Sequence, residues 1–378
     1  MRERYRAGLV TFVKTGIPIV DTSIEGMDDL AYWNYLRAHV HISLTAQEYC
    51  NEEFNVLAQR LHVPVQNLGT YFSTFVLNNS GDDDDGDDHV GVTCMCCINA
   101  NRIACGKWSG RVITWDVLGT GPNVVHDVHQ DCVTGVCRVR GDVLVSVGAD
   151  RRMLFTPPIT GPLTEQVVDY PFDCVCAIDE DVIATGSRDG FVRVWNTENV
   201  HDVHVLREFG HSVGTEWVLS VCRIDDNRLA SAGGSGIVKV WKINLGPNET
   251  NPVRQRDDQA AQINCICYMH YSRIAIGNAI GNLKIWNFDA PHGNQNPETI
   301  AFNPHLSVHS ICSIGRNRML TSAGRQVRSW DVNNIPTPAR VDSVRDAPAG
   351  PVCSIDANRV AYAHGNVVTI MNTIAAFR

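Results

Sequence analysis

The residues of this chain that could carry chemistry are above all its 14 cysteines. Thiols form disulfides in oxidising compartments, and they bind zinc when two Cys-x-x-Cys pairs come together. The run Cys94-Met-Cys96-Cys97 has no second such pair in the chain. Seven marker cysteines instead recur at steps of 41, 39, 46, 45, 45 and 41 residues: Cys96, Cys137, Cys176, Cys222, Cys267, Cys312 and Cys353. We interpret them as small buried residues of a repeat, and we predict no metal and no cofactor.

Motifs of known catalytic chemistry do not occur in the sequence. It contains no glycine-rich phosphate loop, no His-Glu-x-x-His and no Gly-x-Ser-x-Gly. The pair in His201-Asp-Val-His204 would need a third ligand from elsewhere to hold a metal ion. We therefore predict that the protein is not an enzyme.

A second marker follows the same period and indicates what the repeat unit is. Each unit carries an alternating segment such as Phe191-Val-Arg-Val-Trp195, which is typical of a β-strand. Links with Asp-Gly or Ser-Gly favour hairpins, and about 40 residues accommodate about four strands. The residues that end these segments are Trp115, Phe155, Trp195, Trp241, Trp286, Trp330 and Met371. The sequence thus predicts an all-β fold, a seven-bladed β-propeller of four-stranded blades.

The segment from Thr185 to Asn196, Thr-Gly-Ser-Arg-Asp-Gly-Phe-Val-Arg-Val-Trp-Asn, resembles the WD-repeat (WD40) β-propeller family. Gly210-His211 matches the Gly-His mark of that family, and the resemblance covers roughly residues 70–372. A weaker likeness connects the short turns with F-box/WD proteins, but the chain has no recognisable F-box. The resemblance implies a protein–protein interaction scaffold or adaptor. The alternative is a substrate-recognition subunit of a ubiquitin-ligase complex, and a propeller enzyme is a third hypothesis.

In one respect the sequence departs from this family. WD-repeat blades are often braced by a hydrogen-bonded His, Ser or Thr, Asp and Trp, and we find no complete set. The incomplete sets are His129, Ser146 and Asp150 with Phe155; Thr185, Asp189 and Trp195; and His211, Ser231 and Trp241. Phenylalanine cannot donate the hydrogen bond of an indole N–H. Apolar packing must therefore supply more of the rigidity of the blades.

Two segments lie outside the period. Residues 1–65 form a predicted helical extension, which could dock on the propeller or on a partner. Residues 66–378 form the propeller, in which 69–77 supplies the outer strand of the last blade and removes a sheet edge. Residues 78–89 are an acidic loop.

The charge of the chain is concentrated in this loop. Six aspartates, Asp82, Asp83, Asp84 and Asp85 with Asp87 and Asp88, contribute −6 to the net charge of −9. The loop could contact a basic protein, and because no basic stripe occurs elsewhere we expect no direct contact with nucleic acid. No run of 18 apolar residues exists, so we expect no membrane partner. The unpaired cysteines favour a reducing compartment, cytoplasmic or nuclear.

Candidate binding residues lie in the links at one end of the predicted ring. Trp217 is the aromatic residue in a lengthened link before the fourth unit, so it is a candidate hot spot. Lys107, Trp108, Arg151 and Arg188 fall in the turns before third strands. They could form a cationic and aromatic rim for an acidic or phosphorylated segment. We predict that other proteins bind through these loops.

Overall fold

The computed structural model of the protein describes residues 74–78, 91–117, 124–157, 163–211, 216–244, 250–257, 261–290, 298–301, 306–315, 317–332, 340–343, 349–356 and 359–372. The predicted helical extension 1–65 and the aspartates Asp82–Asp85 lie outside the described residues. So do residues 69–73 of the predicted closing strand. Within the described residues, no helix has the length and apolarity required to cross a membrane.

The described residues form seven four-stranded antiparallel sheets, each a blade. The first three blades contain β2 (Val92–Asn99), β3 (Arg102–Lys107), β4 (Arg111–Asp116) and β5 (Val124–Asp127); β6 (Val133–Arg138), β7 (Leu144–Gly148), β8 (Arg152–Thr156) and β9 (Thr164–Val167); and β10 (Phe172–Ala177), β11 (Val182–Ser187), β12 (Phe191–Asn196) and β13 (His204–Gly210). A short 3₁₀ turn, Arg140–Asp142, joins β6 to β7.

The next three blades repeat this order. They contain β14 (Val218–Asp225), β15 (Arg228–Gly233), β16 (Ile237–Lys242) and β17 (Arg254–Asp257); β18 (Ile263–Met269), β19 (Arg273–Asn278), β20 (Asn282–Asn287) and β21 (Glu298–Ala301); and β22 (Val308–Ser313), β23 (Arg318–Ala323), β24 (Gln326–Asp331) and β25 (Arg340–Ser343). In each blade the strands pair in chain order from the innermost outwards.

The seventh blade combines strands from both ends of the described chain. Its inner strands are β26 (Ala349–Ser354), β27 (Arg359–His364) and β28 (Val367–Asn372), and its outer strand is β1 (Thr74–Asn78). β1 pairs antiparallel with β28 from Thr74 opposite Met371 to Asn78 opposite Val367. The sequence places this strand at 69–77, whereas the described strand ends one residue later.

The innermost strands contact one another around a closed ring, and β26 contacts β2. Every marker cysteine lies on one of these innermost strands. The predicted all-β, seven-bladed propeller of four-stranded blades is therefore confirmed.

Apolar packing between the blades forms the core. Trp115, Trp241, Trp286 and Trp330, on the third strands, are all almost fully buried. The clusters around them combine strands of adjacent blades; Trp241, for example, packs with Val218 and Val192. This is the burial that tryptophan at a periodic third-strand position predicts.

Hydrogen bonds inside the blades follow the incomplete sets seen in the sequence. The His129 ring makes two hydrogen bonds. Its Nε2 lies 2.9 Å from Ser146 Oγ, and its Nδ1 lies 2.9 Å from Asp150 Oδ1. Trp241 Nε1 donates to Ser231 Oγ at 2.7 Å, and His211 Nδ1 lies 2.7 Å from the same oxygen. Each of these two sets lacks one of the four groups of the family pattern.

The buried His211 makes the fold sensitive to acid. Burial lowers the pKa of His211 to about 4, and the charge of Lys239 acts in the same direction. Because this pKa is below that of an unfolded histidine, the unfolded state binds the proton first. The contribution of neutral His211 to the stability of the fold is therefore complete above about pH 6.5, and this contribution is lost as the pH falls towards 4.

We expect this histidine alone to remove roughly 2–3 kcal/mol of unfolding free energy between about pH 7 and pH 4. Denaturant unfolding of the wild type and of His211→Gln at both pH values measures the effect. The other titratable groups are shared, so the variant should lose less stability than the wild type. Equal losses in the two proteins would contradict the prediction.

Candidate functional site

One end of the ring is built from two kinds of segment, which we together call the link face. They are the links before the innermost strands and the turns between second and third strands. Backbone hydrogen bonds join the two kinds: Trp108 N to Gly91 O at 3.1 Å, Arg188 N to Pro171 O at 3.1 Å, and Gly234 N to Trp217 O at 2.9 Å. The same bond recurs from blade to blade, so side chains of the turns and links lie beside each other.

A central cavity of about 680 Å³ lies within the ring of innermost strands. Its lining includes the residue three positions before each marker cysteine, and we call these seven residues the mouth ring. They are Thr93, Thr134, Asp173, Leu219, Asn264, His309 and Gly350. Trp108, on the link face, lines the same cavity. Hence the mouth ring lies where the central channel meets the link face.

Several mouth-ring side chains tie their blade to the next one. Thr93 Oγ1 donates to Val133 O, and Thr134 Oγ1 donates to Phe172 O at 2.9 Å. Asn264 Nδ2 donates to Val308 O at 3.1 Å. Each acceptor is the residue four positions before the marker of the following blade. At this position, a side chain that can donate a hydrogen bond therefore connects neighbouring blades.

Asp173 is the acidic member of this ring, and an ionised carboxylate cannot donate a hydrogen bond. Its side chain is 8% exposed, and Arg188 Nε donates to its Oδ1 at 3.0 Å. Its Oδ2 is buried and has no hydrogen-bond partner among the described residues. Burial raises the pKa of Asp173, and the hydrogen bond from Arg188 opposes that rise. The mouth ring therefore contains a carboxylate whose capacity to accept hydrogen bonds is only partly used.

Arg188 contacts both this carboxylate and the ring of Trp217. Trp217 is 47% exposed, and the Arg188 guanidinium carbon lies 4.5 Å from the centroid of its ring. We call Asp173, Arg188 and Trp217 the mouth cluster. It joins an innermost strand, a turn of the third blade and the link before the fourth blade. Such a half-exposed tryptophan, stacked on an arginine, is typical of interface hot spots.

The structure corrects the predicted cationic rim. Lys107 is 1% exposed because it is the last residue of β3 and lies within the sheet rather than in the turn. Arg188 is neutralised by Asp173. Trp108 is 52% exposed, and Arg151 is exposed. The rim is therefore more aromatic and less cationic than the sequence indicated.

Arg151 has an unusual backbone conformation. Its φ is 67°, in the left-handed region, whereas Gly110 and Gly190 occupy the corresponding turn position in the first and third blades with φ of 83° and 84°. Glycine adopts this conformation without the steric penalty that a Cβ brings. The second blade thus holds an exposed arginine where the fold favours glycine.

The cysteines do not form a reactive site. Burial raises the pKa of Cys176 and of Cys353 to about 12, so both thiols are protonated at neutral pH. All cysteines among the described residues are unpaired. Within the same residues, no group of three His, Cys, Asp or Glu side chains is arranged to hold a metal ion.

Asp173 is the site residue that the sequence analysis did not single out. It is visible as the acidic member of a periodic position that is otherwise Thr, Leu, Asn, His or Gly. Comparing repeats position by position would have found it. The contact between Trp217 and Arg188 leaves no such signal, because the two residues belong to different units.

No family model matches the chain, and no curated protein sequence matches it. Among solved structures, it is similar to the WD40 β-propeller domain of Doa1, with a TM-score of 0.63 and 15% identity over 75% of this chain and 93% of that one. It is also similar to the β-propeller domain of Cps50 (Swd1) from Myceliophteria thermophila, with a TM-score of 0.61 and 13% identity over 74% and 96% of the two chains. At these identities the similarities show a common fold.

Proposed function

We propose that this chain, which has the fold of WD40 β-propeller domains, is a non-enzymatic interaction scaffold or adaptor that binds a partner protein on its link face. The single observation that carries the proposal is the mouth cluster. It places a half-exposed tryptophan, an arginine and a buried carboxylate at one end of the channel. Tryptophan and arginine are enriched among residues that dominate binding energy.

Other exposed apolar side chains on the same face support this location. Trp108 is exposed in the turn of the first blade, and Ile280 is exposed in the corresponding turn of the fifth. Tyr271 is the exposed aromatic residue at the opposite end, in the turn between β18 and β19. Two tryptophans and an isoleucine on the link face, with Trp108 also lining the central cavity, give a partner segment both an apolar surface and a recess.

Rigidity is a further argument for a binding role. Trp217, just before the innermost strand of the fourth blade, is anchored by the hydrogen bond from Gly234 N to its carbonyl oxygen. Arg188 is held by Asp173 and by its own backbone bond to Pro171. A preorganised surface loses less conformational entropy when a partner binds. The role as a ubiquitin-ligase substrate receptor and the cytoplasmic or nuclear location stay predictions from the sequence.

Replacing Trp217 with alanine should strongly weaken binding of the partner. Truncation of a hot-spot tryptophan costs about 2 kcal/mol or more, which is about a thirty-fold loss of affinity. The measurement is affinity capture by the full chain from a lysate of the source cells, followed by titration of the recovered partner. The matched control is Tyr271→Ala, which removes an exposed aromatic residue from the opposite end.

The expected result is a partner that the wild type and Tyr271→Ala capture and that Trp217→Ala does not. If all three proteins captured the same partners with the same affinity, the link face would not be the binding surface. Loss of the partner from Tyr271→Ala alone would place binding at the opposite end of the ring.

A further inference from the structure

The environment of Asp173 differs from that of the equivalent residues in the first, second and fifth blades. By the pattern of Thr93, Thr134 and Asn264, the side chain at this position donates to a carbonyl of the next blade. For the third blade that carbonyl is Val218 O of the fourth blade, and among the described residues its side-chain donor is Cys174 Sγ, at a long 3.5 Å. Among the described residues, Asp173 Oδ2 therefore has no donor, and Val218 O lacks the strong donor that the corresponding carbonyls have next to Thr93, Thr134 and Asn264.

We propose that the mouth cluster binds a positively charged side chain, lysine or arginine, that a partner segment inserts into the channel. This inference rests on the proposed function and specifies the chemistry of its central contact. The Asp173 carboxylate would accept a hydrogen bond from the incoming ammonium or guanidinium group. The Trp217 ring would pack against the apolar stem of the inserted side chain.

The free acceptor capacity of the mouth cluster favours a side chain that donates hydrogen bonds over one that accepts them. Asp173 is the carboxylate of the mouth ring, whose other members are Thr, Thr, Leu, Asn, His and Gly. Arg188 occupies Oδ1, but a carboxylate has acceptor sites for several donors. An anionic side chain entering the cavity has no proton to donate to the buried Oδ2. A cation entering at the same place gains a charge-assisted hydrogen bond.

The buried carboxylate at 173 lowers the stability of the fold, and this effect provides a second test of the proposal. A buried acceptor without a donor is destabilising. Asn264 occupies the same position in the fifth blade and donates to Val308 O. An asparagine at 173 has the same shape as aspartate and could donate to Val218 O in the same way. Asp173→Asn should therefore fold at least as stably as the wild type.

The binding test uses N-acetyl-L-arginine amide and N-acetyl-L-lysine amide as probes, with N-acetyl-L-citrulline amide as the neutral analogue. Binding to the full-length chain is followed by tryptophan fluorescence and by ligand-observed NMR. We expect the two cationic amides to bind and the citrulline amide to bind at least about ten-fold more weakly. Asp173→Asn should weaken binding of the cationic amides by at least about ten-fold while its thermal midpoint stays equal or rises.

The matched control is Asp131→Asn, which removes the same charge from an exposed position of the link before the second blade. It should bind the cationic amides like the wild type. The proposal is overturned if the wild type binds neither cationic amide, if citrulline amide binds equally well, or if Asp173→Asn binds like the wild type. In each case, loss of the partner from Trp217→Ala would still support the proposed function. Retention of the partner by Trp217→Ala would refute that function separately.

Discussion

A chain that begins at residue 79 will fail to form a stable propeller, whereas a chain that begins at residue 69 will form one. The difference between the two chains is the segment that contains β1. This strand is the outer strand of the seventh blade, and its five residues pair with β28. Without it, β28 becomes an exposed sheet edge, and the ring is closed only by the packing of β26 and the rest of the seventh blade against the first blade.

The expected loss is at least about 5 kcal/mol. A five-residue antiparallel pairing contributes about five backbone hydrogen bonds, each with a net value of about 1 kcal/mol. The apolar residues Val368, Ile370 and Met371 of β28 are almost completely buried, and removal of the neighbouring strand weakens their packing. Because domains are typically stable by only about 5–15 kcal/mol, this loss is enough to unfold much of the population.

Thermal unfolding monitored by circular dichroism compares the two truncated chains with the full chain. Both truncations keep the acidic residues 82–88, so their difference isolates residues 69–78. We expect the chain from 69 to melt close to the full chain and the chain from 79 to melt far lower or to aggregate. Indistinguishable melting of the two truncated chains would show that β1 does not hold the ring together.

The fold could be predicted because its signals are periodic and local. The marker cysteines fix the innermost strands, and residues such as Trp195 and Trp241 fix the third strands one half-unit later. Alternation within a segment then gives the strands, and Asp-Gly or Ser-Gly links give the turns. Because the same local pattern occurs seven times, the number of blades could be counted from the sequence.

The candidate site could be predicted only in part because it depends on contacts between repeats. Trp217 was singled out as an aromatic residue in a long link, but its position against Arg188 depends on how the third and fourth blades pack. Lys107 was misplaced because a shift of one residue decides whether a side chain lies in a sheet or in the adjoining turn. The role proposed for Asp173 depends on the carbonyl oxygen of Val218, which belongs to a different repeat unit.

Two departures from the stable form of the repeat occur on the link face. Arg151 has a left-handed backbone where other blades have glycine, a conformation that costs a non-glycine residue about 1 kcal/mol. Asp173 is an acceptor where the first, second and fifth blades have a donor. Proteins tend to violate their own folding rules at functional positions. The coincidence of both departures with the exposed tryptophans supports the assignment of this face.

Gly233→Ala will damage the fold and the candidate site together. Gly233 is the last residue of β15 and pairs with Val218. A Cβ atom built on it would lie 1.9 Å from Trp217 O and 3.0 Å from Val218 Cα. Both are backbone atoms, so the link that carries Trp217 must move. Overpacking against backbone costs about 3 kcal/mol or more, at the upper end of its usual range.

Displacement of this link also breaks the geometry of the mouth cluster. The Gly234 N–H bond to Trp217 O and the stacking of Arg188 on Trp217 both depend on the position of this one segment. We therefore expect Gly233→Ala to reduce partner capture even at a temperature at which the variant is fully folded. Denaturant unfolding and capture, measured on the same preparation, separate the loss of stability from the loss of binding.

The matched control is Gly210→Ala, at the end of β13. A Cβ atom on Gly210 would meet only Phe191 Cε1 at 3.9 Å, an ordinary contact, so its effect should stay within about 0.5 kcal/mol. Glycine-to-alanine replacement lowers the entropy of the unfolded chain equally in the two variants, so their difference reports the steric contact. If Gly233→Ala were as stable as Gly210→Ala and captured the partner equally well, the close approach of Trp217 to β15 would not hold the site in place.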